Sequence, residues 1–169
     1  MVSLSKSEQK QLVDLLNKLE PGFFPREIFY ALARIVVTAT YLTVPLYFDK
    51  ELYVHLIKRE DNDPYWPGQL HVPGKIILST DKSINDVYSR LYQEEMKGLD
   101  ILNGPVFCGY VFDKIPRGKE VSIINYVVLK SKPSFGELHK VSNLPKNIIS
   151  TEIKRIVMAA EKYLETNRN

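Results

Sequence analysis

The stretch Ser83-Ile84-Asn85-Asp86-Val87-Tyr88-Ser89-Arg90-Leu91-Tyr92-Gln93-Glu94-Glu95-Met96-Lys97-Gly98 decides how this chain is read. At about 100° per residue, Ile84, Val87, Tyr88 and Leu91 fall on one side of a helix. Asp81 or Ser83 would cap it, and it would run to about Lys97. Glu95 falls in the middle of the apolar stripe, and Glu94 sits on its flank, one turn after Arg90. A carboxylate pair at the inner face of a helix is costly unless it is paired or holds a cation. Two readings follow. Either the pair is a hard-metal site, since Mg²⁺ takes oxygen ligands, or the helix frays at Met96-Lys97-Gly98 and both glutamates reach water.

Outward from this helix the chain alternates strands and helices. Tyr41 to Phe48 and Leu52 to Arg59 flank the turn Asp49-Lys50 and predict a β-hairpin. Glu60 to Gly74 is a loop rich in turn residues that carries Tyr65, Trp66 and His71. Lys75 to Leu78 predicts a short strand. Val106 to Asp113 and Glu120 to Leu129 predict two more, joined at Ile115-Pro116-Arg117-Gly118. The last helix spans about Ser150 to Glu165, with Ile153, Ile156, Val157, Ala160 and Leu164 as its expected core face. Near the start, a helix from Pro25 is expected to bury Ile28, Phe29, Leu32, Ile35 and Val36. Ahead of it, Ser5 and Glu8 have the spacing of a capping box. Leu12, Val13, Leu15, Leu16 and Leu19 then form an amphipathic stripe, stopped by Pro21-Gly22. This first helix must pack on its own domain or pair with a second copy, and the reading leans to a two-fold homodimer. The element order predicts an α/β fold with a mixed sheet between helices. Residues 1–22 form an extra N-terminal helix, and 23–169 the main domain.

Composition limits the alternatives. At 169 residues, 44% hydrophobic and 25% charged, the chain can bury a core of its own. A net charge of +3 is too balanced to indicate nucleic acid as a partner. One cysteine, Cys108, excludes a disulfide framework and suits a reducing, cytoplasmic setting. Ile35 to Phe48 is too short and too interrupted to span a membrane.

The run His71-Val72-Pro73-Gly74-Lys75 through Gly98-Leu99 resembles the Nudix box. That pattern is Gly, five residues, Glu, seven residues, then Arg-Glu-apolar-x-Glu-Glu-x-Gly-apolar. Arg90 to Glu95 matches its core, with Leu91 where the pattern has glutamate. Asp81 stands at the position of the first glutamate. One extra residue separates Asp81 from Arg90, and another separates Glu95 from Gly98. The usual Pro-Gly-Gly is Pro73-Gly74-Lys75. Val54 to Arg59, Trp66-Pro67-Gly68 and Asn143 to Ile149 resemble further elements of Nudix domains in the same order.

The resemblance implies a Nudix-type α/β/α sandwich and metal-dependent cleavage of a nucleoside diphosphate linked to another moiety. Glu94, Glu95 and the Lys75 backbone carbonyl would hold Mg²⁺ or Mn²⁺, weakly, because the third carboxylate is missing at Leu91. Arg59, Trp66 and His71 would contact a nucleotide-like substrate. Leu91 can act neither as base nor as ligand, so a base would come from outside the box, with Glu137 or Glu120 as candidates. For an enzyme of this kind, Leu91→Glu would preserve or raise turnover. The alternative is a catalytically impaired domain that keeps the fold and a ligand pocket.

Overall fold

In the computed structural model, residues 4–22 and 24–167 are described. The expected break between residues 22 and 23 therefore falls partly on Phe23, outside the described residues. Ser5 caps α1 (Lys6–Leu16) through the capping box with Glu8, and α2 (Arg26–Ile35) follows Pro25. Then come β1 (Val37–Asp49), β2 (Glu51–Lys58), β3 (Leu70–His71), β4 (Gly74–Ile76) and α3 (Ile84–Leu91). A π-helical turn, Tyr92–Met96, continues α3. The chain ends with β5 (Ile101–Ile115), β6 (Gly118–Leu129), β7 (Glu137–Lys140) and α4 (Ser150–Thr166).

The strands form one mixed seven-stranded sheet ordered β3-β2-β1-β6-β5, with β4 added to β1 and β7 to β2. β1 and β6 run parallel through the centre. Both faces of these strands are covered, so they read as nearly continuous apolar runs. Side chains alternate between the faces. Leu42, Val44, Leu46, Ile124 and Tyr126 pack with Ile156 and Ala159 of α4. Tyr41, Val127 and Leu129 pack with Val87 and Leu91 of α3 and with Met96. This is the expected α/β/α sandwich.

The far edge of β1 changes partner along its length. Thr40, Tyr41 and Leu42 pair with β4, whereas Leu46 to Asp49 pair with β2. Between them, Thr43 N–H donates to Pro73 O at 3.0 Å. Pro45, which has no N–H to donate, lies in this gap. Gly74 is fixed here by space, since a Cβ would come within 2.1 Å of Leu42 Cδ2.

Two expectations are corrected. α2 buries Ala33, while Ile35 and Val36 are exposed and Ile28, Phe29 and Leu32 are only half-buried. α4 is rotated from its apolar stripe. Its buried residues are Glu152, Arg155, Ile156, Ala159 and Ala160, and Ile153, Val157 and Leu164 are exposed. α1 buries no residue on this chain, and Leu12, Val13, Leu15 and Leu16 are exposed. Among the described residues, no helix is long and apolar enough to cross a membrane.

Candidate functional site

A cavity of about 510 Å³ opens where β1 changes partner. The Trp66 loop, β4, the π-turn, the β5–β6 turn and the start of α4 all contribute to its lining. Most of its charged residues fall into two clusters, with Arg26, Arg59 and Asp63 outside them.

The first cluster is the box. Ser83 caps α3, with Asp86 closing a capping box. Asp81 instead accepts the Leu78 N–H at 2.7 Å and pairs with Arg90 at 2.8 Å, while Arg90 also donates to Ile76 O. The helix does not stay α-helical to Lys97. The π-turn accommodates an additional residue in the helical path, which accounts for the extra residue between Glu95 and Gly98. It presents both glutamates to the cavity while Met96 stays in the core. Glu95 Oε2 accepts the Gly74 N–H at 2.9 Å. Lys75 Nζ lies 2.8 Å from Glu94 Oε2 and 2.7 Å from Glu95 Oε1. Burial disfavours the Lys75 ammonium, but the Glu95 and Glu94 carboxylates outweigh it and raise its pKa. The resemblance gives Lys75 a role through its carbonyl, yet its side chain is what meets the two carboxylates. Leu91 is 0% exposed and packs with Tyr41, Val87, Met96 and Val127. The expectation for Leu91→Glu is therefore corrected, because the new carboxylate would enter an apolar core rather than the cavity.

The second cluster was invisible to periodicity. Arg155 pairs with Glu152 at 3.1 Å and Glu120 at 3.2 Å, and its Nη2 also donates to Ser122 at 3.1 Å. Arg117 pairs with the other oxygen of Glu120. All these residues except Arg117 are buried. Burial pushes the Glu152 pKa up to about 7, against the pull of Arg155 and Arg59. The sequence reading singles out none of Arg117, Glu152 and Arg155, although all three line the cavity. A usable signal did exist for the pair on α4, because Glu152 and Arg155 recur at one-turn spacing beside Ile156 and Ala159.

The Trp66 loop closes the cavity. Asp63 Oδ1 accepts the backbone N–H groups of Tyr65 and Trp66 at 2.9 and 3.0 Å, an Asx-type turn that fixes the loop backbone carrying both rings. The Arg59 and Arg117 guanidinium carbons each lie 5.8 Å from the centre of the Trp66 ring, within cation–π range. The buried Nε of Arg59 has no hydrogen-bond partner. His71 lines the cavity but is buried, with Nδ1 2.7 Å from Val72 O. Burial, reinforced by Arg59, lowers its pKa to about 3, so it is neutral at physiological pH. The cavity thus brings together Arg59, Trp66, His71, Lys75, Glu94 and Glu95. Glu137 does not join them. It sits exposed on β7, 2.9 Å from His139 Nε2.

No family model and no curated protein matches this sequence. Solved structures do match its fold. The NUDIX domain of Shewanella oneidensis NrtR, complexed with ADP ribose, is similar over 95% of this chain and 99% of that one, at 17% identity and a TM-score of 0.55. A mutT/nudix family protein from Listeria innocua is similar over 76% and 95% of the two chains, at 16% identity and a TM-score of 0.59. S. oneidensis NrtR complexed with a 27mer DNA matches over 76% of this chain at 17% identity and a TM-score of 0.54, but only 63% of its own length is covered. The layered sheet and the glutamate-bearing helix beside the cavity define an α/β/α sandwich. This chain has the Nudix fold.

Proposed function

We propose that this domain binds a nucleotide-like small molecule bearing a diphosphate and holds it without cleaving it. The observation that carries this reading is Leu91, wholly buried among apolar side chains at the position where the resemblance has its catalytic glutamate. The other candidate bases do not replace it. Glu137 is off the cavity, and Glu120 is engaged by Arg117, Arg155 and Ser122. Loss of a general base typically lowers a rate by about 10²–10⁴.

The recognition chemistry is retained. Trp66, Tyr65 and Tyr30 offer aromatic surface for a base, and Arg59 offers a guanidinium for phosphate oxygens. ADP ribose, the ligand of the NrtR domain, has both parts and is the reference compound. The test is a thermal-shift screen over nucleoside diphosphate derivatives, with hydrolysis assayed in parallel in Mg²⁺ and Mn²⁺. Stabilisation by such a compound, absent in Trp66→Ala, without product formation supports the reading. Turnover abolished by Glu95→Gln would restore the hydrolase.

A further inference from the structure

The Lys75 ammonium occupies the point at which Glu94 and Glu95 converge, 2.8 and 2.7 Å from their oxygens. The second oxygen of Glu95 is held by the Gly74 N–H. A divalent cation between these carboxylates is what the resemblance implies, and the residues present do not fit one. The ion would have to displace Lys75 and then sit against its positive charge. Leu91 supplies no third oxygen. Among the described residues, no group of three or more His, Cys, Asp or Glu side chains is placed to hold a metal.

An ammonium has three donors. Two are directed at Glu94 and Glu95, which leaves a third, and Lys75 lines the cavity. Without this charge, two adjacent carboxylates would face the negative charge of a phosphorylated ligand. We propose that Lys75 is a built-in cation, bridging the Glu94–Glu95 pair to a phosphate oxygen of the ligand, so that binding needs no divalent metal. This rests on the ligand-binding reading above.

Mn²⁺ is the probe, followed by the electron paramagnetic resonance signal of the free ion. The wild-type protein is expected to show no saturable site at millimolar Mn²⁺. Lys75→Met keeps the aliphatic stem and is expected to gain one site, which a further Glu94→Gln removes. ADP ribose binding is measured alongside by calorimetry. Wild type should bind equally well in EDTA and in Mg²⁺, and Lys75→Met should bind roughly tenfold or more weakly in EDTA, the loss of one charge-assisted hydrogen bond. If circular dichroism shows Lys75→Met to be misfolded, Lys75→Arg carries the test and should exclude Mn²⁺ as wild type does. Saturable Mn²⁺ binding to wild type that Glu95→Gln abolishes would overturn the proposal, as would loss of ADP ribose binding in EDTA. Failure to bind ADP ribose in either medium would refute the ligand reading and with it the bridge to phosphate. The Mn²⁺ titration would still decide whether Lys75 excludes a metal.

Discussion

Two charged clusters line one cavity, and they differ in burial. Around Lys75, the Glu94 side chain is 51% exposed, that of Lys75 21% and that of Glu95 15%. Around Arg155, the Glu120, Glu152 and Arg155 side chains are 3–7% exposed, and Glu120 and Arg155 share Ser122. The first cluster can exchange partners with a ligand at modest cost. The second is a fastening between α4 and β6, where removal of one member strands the others in a low-dielectric interior. Ligand recognition is accordingly proposed at the first cluster and the fastening of the cavity wall at the second.

The largest expected effects lie where a charge is stranded. Arg155→Met should destabilise the protein by about 3–5 kcal/mol in chemical denaturation. A loss below about 1 kcal/mol would show that the two clusters do not differ in this way. Leu91→Glu should also cost several kcal/mol, about as much as an unpaired buried charge does, and should give no gain in turnover.

Next comes a pH dependence. The folded Glu152 pKa of about 7 stands above its ordinary value of 4.5. Between these values the native state retains a proton that the unfolded chain has released. Its contribution to stability is therefore complete below about pH 4.5 and lost as pH rises through about 7. Glu152→Gln should remove a decline of up to about 3 kcal/mol over that window. His71, with its pKa lowered to about 3, acts oppositely and loses stability as pH falls. The difference between the wild-type and Glu152→Gln profiles isolates the glutamate, and parallel profiles would contradict the assignment.

Smallest is the stability effect of Lys75→Met. Screening at this partly exposed cluster should limit it to about 1 kcal/mol, even though ligand binding changes. A cost as large as that of Arg155→Met would erase the distinction between the clusters.

Much of the architecture was legible because it rests on local patterns. The capping box at Ser5, the cap at Ser83 (one of two candidates beside Asp81), the hairpin at Lys50, the turn at Gly118 and the inward Leu91 all follow from short-range chemistry. Glu95 stood out by interrupting an apolar stripe, with Glu94 on its flank. The Arg155 cluster stayed hidden because periodicity assigns a helix's inner face to its apolar residues. On α4, pairing across to Glu120 and Ser122 overrides that rule and turns Ile153 and Val157 outward. The contact of the Lys75 side chain with the two glutamates was hidden for a related reason. The resemblance directs attention to the backbone at that position, whereas the meeting with Glu94 and Glu95 depends on how β4 and the π-turn are placed.

The central claim, that the cavity holds a diphosphate ligand intact, is tested most directly by ³¹P nuclear magnetic resonance of ADP ribose with the wild-type protein and excess Mg²⁺. The account predicts broadened or shifted diphosphate resonances that persist unchanged over prolonged incubation and behave the same way in EDTA. Conversion of those resonances to phosphomonoester signals, dependent on Mg²⁺ and lost in Glu95→Gln, would contradict it.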